Sequence, residues 1–148
     1  IEYNVNVVKN ENLESSIITE EEFISATFPQ HYRTVEEFSQ PFKGNDCLAY
    51  KIGLKLNKIF TKLTKCPYRQ EYENNKGTIT QEGFAKEFIP TTRSWSETVF
   101  RSALKNRTYA ESDEIIESFY KSYENEVAKS PTEHSMDYVH IVMEIERI

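Results

Sequence analysis

The sequence predicts an α+β fold: helices clustered beside a pair of antiparallel strands. Two observations carry this. Between residues 80 and 129 apolar side chains recur at helical spacing, with Phe84 and Phe88 on one face and Ile115, Phe119, Tyr123 and Val127 on another. Residues 54–64 and 136–148 instead carry β-branched and alternating patterns. The helical block lies between those two strands. An antiparallel pair with helices inserted is therefore expected, rather than a complete doubly wound sheet. With 148 residues, 38% hydrophobic and 28% charged, the chain can bury a real core and is not of disordered composition.

Taken in order, residues 1–8 alternate and read as a short strand, and residues 9–16 as a polar loop. Thr19 followed by Glu22 is a capping box, with Ile18 and Phe23 placed as a hydrophobic staple, and Pro29 ends that helix. Thr34 and Glu37 repeat the box for a short helix that turns Phe38 to the core and stops at Pro41. Between them, Phe28-Pro29-Gln30-His31-Tyr32-Arg33 reads as a rigid aromatic linker. Residues 47–52 make one or two helical turns ended by Gly53. Residues 54–64 read as a strand despite mixed alternation, Leu54, Leu56, Lys58 and Phe60 against Lys55, Asn57, Ile59 and Thr61. Residues 68–78 are polar and read as a loop.

Thr80 then caps a helix that Gly83 weakens by up to ~1 kcal/mol and Pro90 breaks. Ser94 with Glu97 starts the next, with Trp95, Val99 and Ala103 on one face and Phe100 and Leu104 widening it. Ser112 caps the clearest helix, where Asp113 and Glu114 suit the positive end of the dipole. Lys129-Ser130-Pro131 ends it. In the closing strand Val139, Ile141, Met143 and Ile145 share one face, and Tyr138, His140, Val142, Glu144 and Glu146 the other.

Composition excludes several classes. Eighteen basic against 24 acidic residues give a net charge of −6, against a nonspecific nucleic-acid binder. Lys51, Lys55, Lys58, Lys62, Lys65 and Arg69 read as a solvated side. Cys47 and Cys66 are too few for a disulfide scaffold, and His31, His134 and His140 lack metal spacing with them. No membrane span or signal peptide is evident, which points to a reduced, cytoplasmic protein. The four glycines, 44, 53, 77 and 83, stand too far apart to cradle a phosphate. The chain begins at Ile1 rather than Met, which fits a piece of a longer protein.

The acidic runs Glu20–Glu22 and Glu36–Glu37 sit in first helical turns, where capping and the dipole explain them without glycosidase chemistry. Asp137 with His134 or His140 could form a dyad, but no serine or cysteine is placed as its nucleophile. Five residues are candidates for substrate binding. His31 and Tyr32 lie in the aromatic linker, as substrate contacts or as surface residues. Arg93, Trp95 and Phe100 lie in the stretch 90–100 with Thr91, Thr92, Ser94 and Ser96 around them. A flat apolar ring rimmed by hydroxyls, with a guanidinium able to take a carboxylate bidentately, suits a pocket. The alternative is that Trp95 anchors the helix in the core and Arg93 is solvated.

Three segments together carry a family resemblance. They are Phe28 through Phe38 with Pro41-Phe42; Arg93-Ser94-Trp95-Ser96 through Leu104 with Asp113 through Tyr120 and Tyr123; and Asp137-Tyr138-Val139-His140. In these, covering most of the chain after Thr19, it resembles the C-terminal part of an S-adenosylmethionine-dependent methyltransferase of the salicylic acid carboxyl methyltransferase kind. The resemblance implies a fragment of a class I methyltransferase α/β fold. Helices in 19–42 and 80–129 would form a cap over the methyl acceptor, and 54–64 and 136–148 the last antiparallel strands. The acceptor would be a small molecule, a carboxylic acid at family level. The cofactor, S-adenosylmethionine, would be held by an N-terminal part not included here, so these 148 residues alone would be inactive. An aromatic face left by the missing sheet would favour a homodimer. The other reading is a non-enzymatic α+β module for protein interaction or small-ligand binding.

Overall fold

The computed structural model describes residues 17–28, 31–44 and 46–148. The strand and loop expected over 1–16, and Pro29 at the end of the first helix, lie outside them. The fold is α+β, and the chain divides into two compact units, one of Ile1–Pro29 with Cys66–Met136, the other of Gln30–Lys65 with Asp137–Ile148.

The first unit is helical. Helix α1 is Glu20–Ser25 in this unit, whereas α2, Val35–Ser39, and α3, Leu48–Lys51, belong to the second. The first unit continues with α4 (Pro67–Asn74), α5 (Gln81–Ala103), α6 (Tyr109–Lys129) and a 3-10 turn at Pro131–Glu133. The capping box on α1 forms as expected, with Thr19 Oγ1 accepting from the Glu22 amide at 3.2 Å and Glu22 Oε2 from the Thr19 amide at 2.8 Å. The core lies where α5 packs on α6. Ala85 and Phe88 of α5, Tyr123 and Val127 of α6, and Cys66 ahead of α4 are wholly buried.

Three sequence expectations need correction here. Pro90 does not end a helix: α5 runs through it from Gln81 to Ala103. Proline removes one amide donor, but the residues on both sides, Phe88 and Ile89 before it and Thr92 and Ser96 after it, are buried on one continuous face. Packing of that face outweighs the lost bond. Ser94 is accordingly mid-helix, and its hydroxyl donates back to the Thr91 carbonyl at 2.7 Å instead of capping. Helix α6 starts earlier than Ser112, at Thr108, whose hydroxyl accepts from the Glu111 amide in a complete capping box. Ser112 is then a buried first-turn residue. Residues 67–74 form a helix where a loop was expected. Pro67 occupies its first turn, and Tyr72 turns inward to stand 5.1 Å from the Phe84 ring.

The second unit is built on a two-stranded antiparallel sheet, β1 (Leu54–Thr64) and β2 (Tyr138–Arg147). Gly53 turns the chain from α3 into β1 at φ 83°. A Cβ there would meet the Ile148 carbonyl at 3.0 Å, and the Ile148 amide donates to the Gly53 carbonyl at 2.9 Å. The pairing explains the mixed alternation of β1. Leu56 faces Ile145 and Lys58 faces Glu144, so Asn57 is the extra residue of a bulge. The bulge resets the period. Leu54 and Leu56 before it share a face with Ile59, Thr61 and Leu63 after it, and that is the face of Ile141, Met143 and Ile145. Lys55, Lys58 and Lys62 fall on the other face, opposite Glu146, Glu144 and His140. Phe38, expected in the core, is 38% exposed, because the short α2 offers no buried face.

Candidate functional site

Among the candidate residues, Arg93, Trp95 and Phe100 stand on α5 in the first unit, whereas His31 and Tyr32 belong to the second. His31 is well exposed and its Nε2 lies 3.8 Å from Glu37 Oε1; Tyr32 is 80% exposed.

Arg93 is engaged by the protein itself. Its Nε donates to Glu97 Oε2 at 2.6 Å, and its two terminal nitrogens donate to the two oxygens of Glu117 on α6. The guanidinium also covers the Tyr120 ring at 4.9 Å. Glu97 in turn accepts from Arg101 at 2.6 Å, and Arg101 donates to Asp113 at 2.6 Å. The result is a ladder in which Arg93, Glu97 and Arg101, four apart on α5, meet Glu117 and Asp113, four apart on α6. The hydrogen bonds from Arg93 hold the Glu97 and Glu117 carboxyls below their ordinary range and push the guanidinium's own pKa up. An incoming carboxylate would compete with two carboxylates already in place.

Beneath the ladder is a buried hydroxyl pair. Ser96 Oγ donates to the Thr92 carbonyl at 2.7 Å and lies 2.7 Å from Tyr120 Oη. Serine has one hydroxyl proton, so Tyr120 must be the donor in the second bond. Burial pushes the Tyr120 pKa up to about 12, which keeps that proton in place.

Trp95 is neither a core anchor nor fully solvated: it is 37% exposed. The Phe28 ring stands edge-on to it at 5.4 Å and edge-on to Phe100 at 5.5 Å. Phe100 is buried and continues the aromatic row to Phe119 at 4.6 Å. Trp95, Phe28 and Phe100 are thus brought together as an apolar surface that opens on solvent at Trp95. Its hydroxyl rim is partly committed, since Ser94 donates to Thr91 O and Thr91 Oγ1 donates to Tyr68 Oη at 2.8 Å.

Of the other histidines, His134 is 5% exposed, between the Phe88 ring at 6.4 Å and the Tyr123 ring at 6.1 Å. Burial pushes its pKa down. His140 is exposed on β2, its ring stacked 6.1 Å from Tyr138. Among the described residues no three His, Cys, Asp or Glu side chains could hold a metal ion, and no helix is long and apolar enough to cross a membrane. The sequence reading missed Glu97, Glu117 and Tyr120 as partners of Arg93. The four-residue spacings of Arg93, Glu97 and Arg101 and of Asp113 and Glu117 were the available signal. No protein-family model and no curated protein matches the chain.

Proposed function

We propose that this chain is the acceptor-binding cap and the last two sheet strands of an S-adenosylmethionine-dependent methyltransferase of the salicylic acid carboxyl methyltransferase kind, acting on a small molecule. One observation carries the reading: β1 and β2 pair antiparallel along their length across an inserted helical block spanning residues 65–137. That arrangement is the one the resemblance requires. In this role α5 would present the Trp95–Phe28–Phe100 surface to the apolar part of the acceptor, excluding water from it. The Arg93 ladder would fix α5 against α6 and leave the carboxylate of an acidic acceptor to be held by other groups.

The described residues do not fit the cofactor. Gly44 and Gly77 lie at positive φ with open space around them, Gly53 serves the turn into β1, and Gly83 lies in the first turn of α5. None joins a strand to a helix in a loop that could cradle the cofactor. In this reading the cofactor is held by other sequence of a longer polypeptide, and the protein acts in the cytoplasm.

The test is a pair of binding titrations with S-adenosylmethionine, on the native polypeptide that contains residues 1–148 and on the 148-residue chain. The native polypeptide should bind the cofactor and transfer its labelled methyl group to a member of a small carboxylic-acid panel. The shorter chain should do neither. A native polypeptide that binds no cofactor would overturn the reading.

A second reading, a non-enzymatic interaction module, is favoured by the sheet itself. Leu63, Val139 and Ile145 are 54%, 68% and 44% exposed on one face of the β1–β2 pair. It predicts that the 148-residue chain self-associates into a homodimer on its own, with light scattering as the readout.

A further inference from the structure

We infer that the first unit holds a subsite for a small uncharged apolar group, such as an alkyl terminus, in a pocket of about 40 Å³ between α1 and the α5–α6 corner. The inference is independent of the methyl-transfer reading.

Three segments wall the pocket: Ile18 and Ala26 flanking α1, Ala103 and Leu104 at the end of α5, and Ile116 and Phe119 on α6. Every one of these side chains is apolar. Among the described residues the single polar neighbour is Glu22, and both its carboxylate oxygens are committed. Oε1 accepts from Arg107 Nε at 2.6 Å, and Oε2 accepts from the second Arg107 nitrogen at 2.8 Å and from the Thr19 amide at 2.8 Å. Water needs two to four polar partners, and among the described residues this wall offers none unengaged. The site therefore selects against water, ions and hydrogen-bonding ligands, and in favour of a compact apolar group about the size of one or two methyls.

Its position gives the selection a use. Phe100 lines the pocket and also meets Phe28 edge-on, and Phe28 meets the exposed Trp95. The pocket and the aromatic surface share one wall. The Glu22–Arg107 pair ties α1 to the turn between α5 and α6 at this wall.

Xenon tests this directly, as an apolar atom without hydrogen-bonding capacity. Methyl-resolved NMR of the 148-residue chain under increasing xenon pressure should show saturable shifts confined to the methyls of Ile18, Ala103, Leu104, Ile115 and Ile116. In Ala103→Leu, which fills the pocket with a larger apolar side chain, the shifts should fall at least severalfold. Ala26→Leu fills it from the opposite wall and should give the same loss, which guards against a misfolded first variant. Non-saturable shifts, or shifts that persist unchanged in both folded variants, would overturn the inference.

Discussion

Arg93 of α5 donates through two nitrogens to the two carboxylate oxygens of Glu117 on α6, a bidentate contact that engages the guanidinium within the protein. It is a cross-link between the two longest helices, seated on the Tyr120 ring. Arg93→Ala should therefore lower stability by about 1–2 kcal/mol, mostly through lost packing on Tyr120 and loss of the Glu97 contact. Glu117 is 63% exposed, so its own share is screened and Glu117→Ala should cost under about 1 kcal/mol. Urea unfolding of the two single variants and the double variant measures the coupling. Unchanged stability in Arg93→Ala together with loss of an acidic ligand would assign Arg93 to binding instead.

The Asn57 bulge makes a sharper prediction. Asn57 Nδ2 donates to Glu146 Oε2 at 2.6 Å, but its larger role is to be the extra residue. Deleting Asn57 would leave Leu56 opposite Ile145 and Lys58 opposite Glu144 with no residue between them, so the ladder becomes regular and Leu54, Lys55 and Leu56 all keep their present faces. The deletion should therefore retain amide protection across β1 and β2 in hydrogen exchange, and loss of protection would show that the pairing depends on the bulge itself. Asn57→Ala keeps the residue count and should retain protection, with a loss of about 1 kcal/mol or less.

How much of this was legible from the sequence follows from how local each determinant is. The α1 and α2 capping boxes, Thr19 with Glu22 and Thr34 with Glu37, were readable because a box is complete within four residues. So was the extent of β1, since β-branched content and the Gly53 and Cys66-Pro67 boundaries are local signals. The continuity of α5 through Pro90 was not, because what overrides the proline is burial against α6, a contact between distant residues. The Ser94–Glu97 pattern mimicked a box while Glu97 was serving Arg93 and Arg101. At the candidate site, the aromatic character around Trp95 was visible, but the choice of Arg93's partner required knowing which face of α6 lay opposite.

Glu22 and His134 each contribute to the pH response, in separate ranges. The Arg107 hydrogen bond lowers the Glu22 pKa from 4.5 to about 2. Its folded value lies below its unfolded one, so it stabilises fully above pH 4.5, and that contribution is lost as the pH falls toward 2. The Glu22 side chain is 11% exposed, and the contribution should be about 2–3 kcal/mol. Glu22→Gln should remove most of it and make the acid limb of a stability-against-pH curve shallower. His134 acts at higher pH. Burial depresses its folded pKa below 6.5, so the unfolded chain binds the proton first. Stability is therefore full above 6.5 and declines as the pH drops below it. In urea midpoints taken between about pH 7.5 and 5, His134→Gln should remove that decline while leaving the Glu22 limb intact.

The last prediction sets two neighbouring tyrosines of α6 against each other. Tyr120 and Tyr123 are both buried, and burial pushes both pKa values up to about 12. They differ in what their hydroxyls meet. Tyr120 Oη donates to Ser96 Oγ, whose own hydroxyl donates to the Thr92 carbonyl. Tyr123 Oη has no hydrogen-bond partner among the described residues. Removing the Tyr120 hydroxyl breaks a buried bond and leaves the Ser96 oxygen one donor short, so Tyr120→Phe should cost about 1–2 kcal/mol. Removing the Tyr123 hydroxyl relieves a desolvated group, so Tyr123→Phe should be neutral or stabilising by up to about 1 kcal/mol. The same chemical change, three residues apart on one helix, should thus lower the urea midpoint in Tyr120→Phe but not in Tyr123→Phe. Equal losses in both variants would mean that Tyr123 is hydrogen-bonded in solution after all.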